Sequence, residues 1–249
     1  MNPLYVVLAI AAGFLAGVIN TLAGNGSAIT LPLLIFLGLP PTVANGTNRI
    51  GVLAQCTVST VAFQRKGMVP WRLAVPLIAA VATGGLIGAA IAVNLNATSM
   101  YRAIGAMLVL SFFLILLRPE RWLRGRAGEG HPSRPRDWLI FFAIGIYGGF
   151  IQAGVGIFLL TALVLSIGLD MVRGNAVKSV LTLALNITAF IVFVRNGQVN
   201  WGLGLLVALG QVLGAWAAVH VAMQEWAQVW VYRLLLLVIM ASAVQMFLR

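Results

Sequence analysis

Two glycine-bearing breaks interrupt the apolar sequence, each beside side-chain amides. The first reads Asn20-Thr21-Leu22-Ala23-Gly24-Asn25-Gly26-Ser27; the second reads Gln152-Ala153-Gly154-Val155-Gly156. Glycine lets the backbone leave helical geometry. In a bilayer, unwound backbone survives only when it is buried in protein or lines a polar cavity. A helix that restarts after such a break directs unpaired N–H groups, and the positive end of its dipole, into that cavity. Two such ends facing one another would hold a small anion near the midplane. Asn20, Thr21, Asn25, Ser27 and Gln152 would add neutral hydrogen-bonding groups. The competing reading is close helix packing through small residues, and Gly84 and Gly88 fit that reading. Two breaks at matching places, each beside amides and followed by a half-length apolar piece, favour a site. Gly24, Gly26, Gly154 and Gly156 are then the expected helix breaks.

A second cluster opens the apolar helix that follows each half-length piece. One copy reads Asn45-Gly46-Thr47-Asn48-Arg49, the other Asn175-Ala176-Val177-Lys178-Ser179. A charge inside hydrocarbon is expensive and marks function, unless the side chain snorkels to the interface. Facing inward, Arg49 and Lys178 would add formal positive charge to a cavity that already favours anions. The expected substrate-binding set is Asn20, Asn25, Ser27, Asn45, Asn48, Arg49, Gln152, Asn175 and Lys178.

Other chemistries lack their residues. No Asp or Glu lies inside a full-length apolar segment, since Asp170 and Glu225 sit at segment ends. A carboxylate proton relay is therefore not visible, and no Walker A motif is present. Ser27, Ser59, Cys56 and His220 show no spacing that couples a nucleophile to a base, so no catalytic residues are expected. One cysteine and two distant histidines, His131 and His220, predict neither a disulfide nor a metal site. No cofactor is expected.

The elements that would position these residues are membrane helices. The 249 residues are 61% hydrophobic and 8% charged, with mean hydropathy +1.01. A soluble domain is nearer half apolar and a quarter charged, so a soluble enzyme is excluded. The +11 net charge comes from a shortage of acids. Basic loops and an anionic lipid surface explain it better than nucleic acid does. A crossing helix needs about 20 apolar residues. Candidate segments are 3–22, 47–63, 73–93, 104–117, 138–153, 177–194, 203–221 and 231–248. Half-length pieces lie at 28–37 and 157–167. The first segment has no basic n-region and reads as a helix rather than a cleaved signal. Tryptophans 71, 122, 138, 201, 226 and 230 fall at segment ends as an aromatic belt; Trp216, inside a segment, reads as packing.

Residues 118–137 differ from all of these, with six arginines among glycines and prolines. They read as a cytoplasmic linker between a first membrane unit, 1–117, and a second, 138–249. The units match in residues as well as in hydropathy. The first break pairs with the second. At the same offset Asn45 pairs with Asn175, Phe63 with Phe193, Arg65 with Arg195, Gly67 with Gly197 and Trp71 with Trp201. Gly13, Gly17 and Asn20 pair with Gly145, Gly149 and Gln152, and Tyr101-Arg102 with Tyr232-Arg233. Duplication of a membrane unit is a usual construction of secondary transporters. An odd number of crossings per unit inverts the second; an even number keeps it parallel. The distribution of basic residues satisfies the positive-inside tendency either way.

Gly13-x-x-x-Gly17-x-x-Asn20, the Gly24-Asn25-Gly26 turn, Pro32, Gly38 and the run Asn45 to Asn48 resemble the first repeat of the TauE/SafE sulfite exporter family. Gly145 to Gly156, then Gly168, Asn175, Lys178 and Gly197, resemble its second repeat. Asn25 and Val155 stand between glycines where the family's turn is more glycine-rich. The resemblance implies a plasma-membrane permease for small sulfur-containing or organic anions, such as sulfite or a sulfonate. The residues themselves point to an anion without selecting sulfur, and a carboxylate would suit them as well. The combined expectation is an all-α polytopic protein of two tandem repeats with roughly eight crossing helices plus half-length segments. It would move a small anion by alternating access. Its partners would be that anion, the lipid bilayer and a second copy in a homo-oligomer, with no nucleic acid. The rival readings are a non-transporting assembly subunit, an intramembrane enzyme and a passive anion channel.

Overall fold

The computed structural model describes residues 3–116, 130–131 and 133–221, and the elements there are helices. They are α1 (Pro3–Ala23), α2 (Ser27–Phe36), α3 (Pro41–Arg65), α4 (Trp71–Val93), α5 (Ala97–Leu116), α6 (Pro135–Phe150), α7 (Val155–Leu165), α8 (Met171–Arg195) and α9 (Trp201–Val221). Four stretches among the described residues are long and apolar enough to cross a membrane: Pro3–Thr21, Trp71–Val93, Met171–Arg195 and Trp201–Ala218. Arginines 118 to 126, the expected last segment, Trp122, Trp226, Trp230 and the Tyr232-Arg233 match lie outside the described residues.

Most expected segments become helices, with shifted starts. α3 and α8 begin six residues before their apolar runs, because the residues ahead of those runs, Asn45 and Gly46 in α3 and Gly174 and Asn175 in α8, are already helical and buried or half-buried. Asp170 caps α8, its carboxylate accepting the N–H groups of Val172 and Arg173 at 2.8 and 2.9 Å. α6 starts at Pro135, inside the stretch expected to be linker. The Asp137 carboxylate accepts the Arg134 N–H at 2.7 Å there, a helix-entry bond.

Packing fixes the direction of each helix. Leu34 near the end of α2 packs with Ala9, Ala44 and Val207. The Ser166 hydroxyl, just past α7, donates to Asp137 at the start of α6. Each half-length helix therefore folds back beside the helix before it, and α1–α2 and α6–α7 are helical hairpins. α3 and α8 run antiparallel. The Asn200 N–H donates to Thr47 Oγ1 at 2.9 Å, joining the end of α8 to the start of α3. Phe63, Val69, Ala176 and Val180 cluster where α3 ends and α8 begins. The first end of the bundle thus gathers the starts of α1, α3 and α9. The second end gathers the starts of α4, α6 and α8.

The close helix pairs exchange between halves. α1 packs along α9, and α6 along α4. Both contacts are built on glycine. A Cβ on Gly17 would stand 2.3 Å from the Gln211 carbonyl, and one on Gly214 2.0 Å from the Phe14 carbonyl. In the other pair, a Cβ on Gly88 would stand 1.9 Å from the Ile146 carbonyl, and one on Gly149 2.1 Å from the Gly85 carbonyl. Gly84 and Gly88 are therefore packing residues, as expected. With no side chain between them, the backbones meet and dispersion contacts accumulate along the pair.

Large apolar side chains cover the outside. Ile87, Ile91, Ile187, Ile191, Leu205 and Leu209 are exposed, which suits a hydrocarbon surround and not water. Trp71, Trp138 and Trp201 are exposed at helix starts, as belt residues are. Trp216 corrects an expectation. It is 63% exposed, because its position on α9 lies away from the glycines that meet α1.

Candidate functional site

The two breaks touch. Gly24 and Gly154 adopt left-handed backbone, with φ of +72° and +77°, where a side chain is strained. A Cβ on Gly156 would lie 2.5 Å from the Gly24 carbonyl oxygen, so the chain leaving the first break presses on the first turn of α7. Gly26 plays another part. It is right-handed, at φ −60°, and a Cβ there would stand 2.2 Å from the Ala16 carbonyl. It lets α2 fold back along α1.

α3 grips both breaks. At the first, Asn20 Nδ2 donates to Gln55 Oε1 at 3.1 Å. Gln55 Nε2 donates in turn to Thr21 Oγ1 at 3.1 Å and to the Gly17 carbonyl at 3.3 Å. Asn20 Oδ1 accepts the Gly26 N–H at 3.3 Å. At the second, Asn45 Nδ2 donates to the Phe150 carbonyl at 2.7 Å. Arg49 donates from one terminal nitrogen to the carbonyls of Gly148 and Gly149, at 3.1 and 2.5 Å. Three successive carbonyls ahead of the second break are thus held from α3.

Between the breaks lies a cavity of about 30 Å³, room for roughly two waters. Gln55, Gln152 and Lys178 are buried within it, 2%, 5% and 7% exposed. Asn175, Ser59 and Phe63, which also line it, are half-buried towards the second end. Lys178 is the one charged side chain among the lining residues, and its Nζ donates to Asn175 Oδ1 at 2.7 Å. Gly156, in the first turn of α7, contributes backbone to the wall. Gln152 Oε1 is buried with no protein partner. An ammonium, four carboxamides, several hydroxyls and a helix N-terminus can together replace the hydration of a small anion. No carboxylate among the lining residues opposes it.

Of the expected binding residues, Asn20, Gln152, Asn175 and Lys178 come together here. The others are placed elsewhere. Asn48 Nδ2 donates to Ser27 Oγ at 2.9 Å, and the Thr30 hydroxyl donates to Asn48 Oδ1, tying α2 to α3. Asn25 is buried beside Ser111 and Tyr147, near Gly154. Arg49 and Asn45 lie towards the first end, on the carbonyls described. Gln55, Ser179 and Thr182 are lining residues that the sequence reading did not single out. Gln55 carried a usable signal: it is a carboxamide in the middle of an otherwise apolar run.

Comparison with known proteins points to a family of membrane transporters. The family profile described as Sulfite exporter TauE/SafE matches residues 9–246. A probable membrane transporter protein, ORF9, from Sinorhizobium sp is 31% identical over 240 residues, covering 94% of this chain and 89% of that protein. A probable membrane transporter protein from Haemophilus influenzae is 26% identical over 208 residues, covering 82% and 79%. The probable membrane transporter protein YfcA of Escherichia coli K12 is 27% identical over 220 residues, covering 86% and 80%. No solved structure matches the chain. With the profile match running through both breaks and nearly end to end, the chain belongs to the TauE/SafE sulfite exporter family of membrane transporters.

Proposed function

We propose that this protein is a secondary transporter of a small oxyanion, sulfite or a sulfonate, working by alternating access between two inverted repeats. The observation that carries the reading is Lys178. It is a buried ammonium among carboxamides and hydroxyls, where the two breaks meet, with no carboxylate lining the cavity. Such a pocket favours an anion and disfavours a cation. The tetrahedral or pyramidal oxygens of a sulfur oxyanion suit several donors converging from different helices. The antiparallel course of α3 and α8, and the exchange of partners between α1–α9 and α6–α4, support inversion of the second unit.

The described basic residues at the helix ends support an orientation. Arg65, Lys66, Arg72, Arg134, Arg136 and Arg173 lie at the second end, against Arg102 and Arg195 at the first. The second end is then the cytoplasmic face of a plasma membrane, and the cavity is reached from that side.

Thermal unfolding of the purified protein with added anions tests the site. A ligand that binds only the folded protein stabilises it by RT ln(1 + [L]/Kd), about 2.7 kcal/mol at one hundred times Kd. Sulfite or sulfoacetate is expected to raise Tm in the native protein and to lose that effect in Lys178→Gln. Stabilisation by a small cation, with none by any anion, would contradict the reading.

A further inference from the structure

The Arg49 guanidinium is fully buried, 0% exposed, and no carboxylate among the described residues pairs with it. Its partners are Asn186 Oδ1 at 3.1 Å and the carbonyls of Gly148 and Gly149. Its carbon lies 4.9 Å from the centre of the Phe193 ring. Nε has no partner. A permanent charge is costly to bury without an anion. Here the negative end of the α6 dipole stands in for one. Those carbonyls come just before the second break, where a shift of α6 against α7 would withdraw them.

The surroundings of Arg49 mirror the open cavity. With Asn45 aligned on Asn175 and Arg65 on Arg195, Cys56 corresponds to Asn186, Ser59 to Ala189 and Phe63 to Phe193. The first member of each of these three pairs lines the cavity towards the second end. The second members, with Asn45 and Arg49, form a sealed cluster towards the first end. Asn45, Asn186, Ala189 and Phe193 are each 0% exposed. One chamber is open and its counterpart is shut, with a guanidinium across it.

We propose that this cluster is a second oxyanion-binding chamber in its closed state and that Arg49 is its latch. Release of Arg49 from the carbonyls of α6 opens the chamber to the first end, with the guanidinium as the anion's cation. This rests on the transporter reading above and deepens it. It assigns Arg49 a binding role in one state and a closing role in the other.

Thiol labelling from each side of sealed vesicles tests it. The background is Cys56→Ser, which removes the native thiol. Ser59→Cys reports the open chamber and Ala189→Cys the closed one. A charged, membrane-impermeant methanethiosulfonate should modify Ser59→Cys from the second end and leave Ala189→Cys nearly unreactive. Adding Arg49→Gln removes charge-assisted hydrogen bonds worth about 1.5 kcal/mol or more each. Reaction of Ala189→Cys from the first end is then expected to quicken about tenfold or more. Unchanged reactivity of Ala189→Cys in folded Arg49→Gln protein would overturn the latch.

Should Arg49→Gln fail to fold, Arg49→Lys keeps the charge but loses the fork that spans several acceptors. It should show the same opening in weaker form, and no opening would overturn the proposal equally. The anion role is read with sulfoacetate, because sulfite itself attacks the reagent. Sulfoacetate should slow Ala189→Cys labelling in Arg49→Lys and not in Arg49→Gln. Where only Arg49→Lys folds, absence of slowing there overturns the cation role, and equal slowing in both variants does so where both fold. The labelling pattern without anion does not depend on transport. Failure of the transporter reading appears separately, as no anion flux through the unaltered protein.

Discussion

Lys178 and Arg49 carry the same formal charge, and they sit one residue apart when the two halves are aligned. One residue rotates a side chain by about 100° around a helix. That rotation puts Lys178 on the cavity and Arg49 on the carbonyls of α6. The spacing in sequence revealed both cations but not their different faces, because the two opening turns are read one after the other and not against their neighbours. The two cations should therefore behave differently from their neighbours when replaced. Lys178→Gln should weaken anion binding roughly 10–100-fold, the worth of one charge-assisted hydrogen bond, measured by isothermal titration. Lys178→Arg should retain most of it. Gln55→Ala should act through the fold instead. It frees Asn20 and the Gly17 carbonyl from their shared partner, at a cost of about 1–3 kcal/mol, visible in chemical unfolding. Gln55 was open to detection as a lone carboxamide in an apolar run. Ser179 and Thr182 were not, since single hydroxyls are common in membrane helices and bond back to their own turn.

The helices themselves were largely written in the hydropathy, and their glycine contacts were half-written. α1, α4 and α9 fall within two residues of their apolar runs. α3 and α8 do not, because the polar residues that precede their apolar runs, such as Asn45 and Asn175, are helical and held against neighbouring helices or their own turn. Hydropathy counts such residues as loop. The return of α2 and α7 along α1 and α6 depends on contacts such as Leu34 with Ala9, which no local pattern specifies. Glycine type alone also hides function. Gly88 and Gly197 are the same residue in sequence, but a Cβ on Gly88 would strike the Ile146 carbonyl at 1.9 Å, while one on Gly197 meets nothing within 4 Å. Gly88→Val should therefore force α4 from α6 and lower the yield of folded protein severalfold. Gly197→Ala carries only the left-handed backbone strain at φ +65°, about 1–2 kcal/mol. Size-exclusion profiles and melting temperatures of the two variants, measured side by side, check this ordering.

Among the described residues, most basic side chains gather at the second end, while the cluster around Arg49 is fully buried. The residue matches between the halves led to the expectation of a duplicated unit, and parity left its orientation open. The hairpin course of α2 and α7 supplies the missing term, since neither half-length helix changes sides. If α3, α4 and α5 cross in the first unit, as proposed, the second starts from the opposite side, the inverted arrangement proposed for alternating access. The sidedness that follows is testable by itself. In the Cys56→Ser background, Lys66→Cys should react with an impermeant reagent only from the cytoplasmic side, and Asn196→Cys only from the other. The most direct measurement is flux. The purified protein in proteoliposomes, loaded with radiolabelled sulfite, should exchange it for external sulfite or sulfoacetate in a saturable way. Lys178→Gln, folded and inserted, should slow that exchange about tenfold or more. Saturable movement of a cation with no anion exchange, or anion flux indifferent to Lys178, would contradict the account.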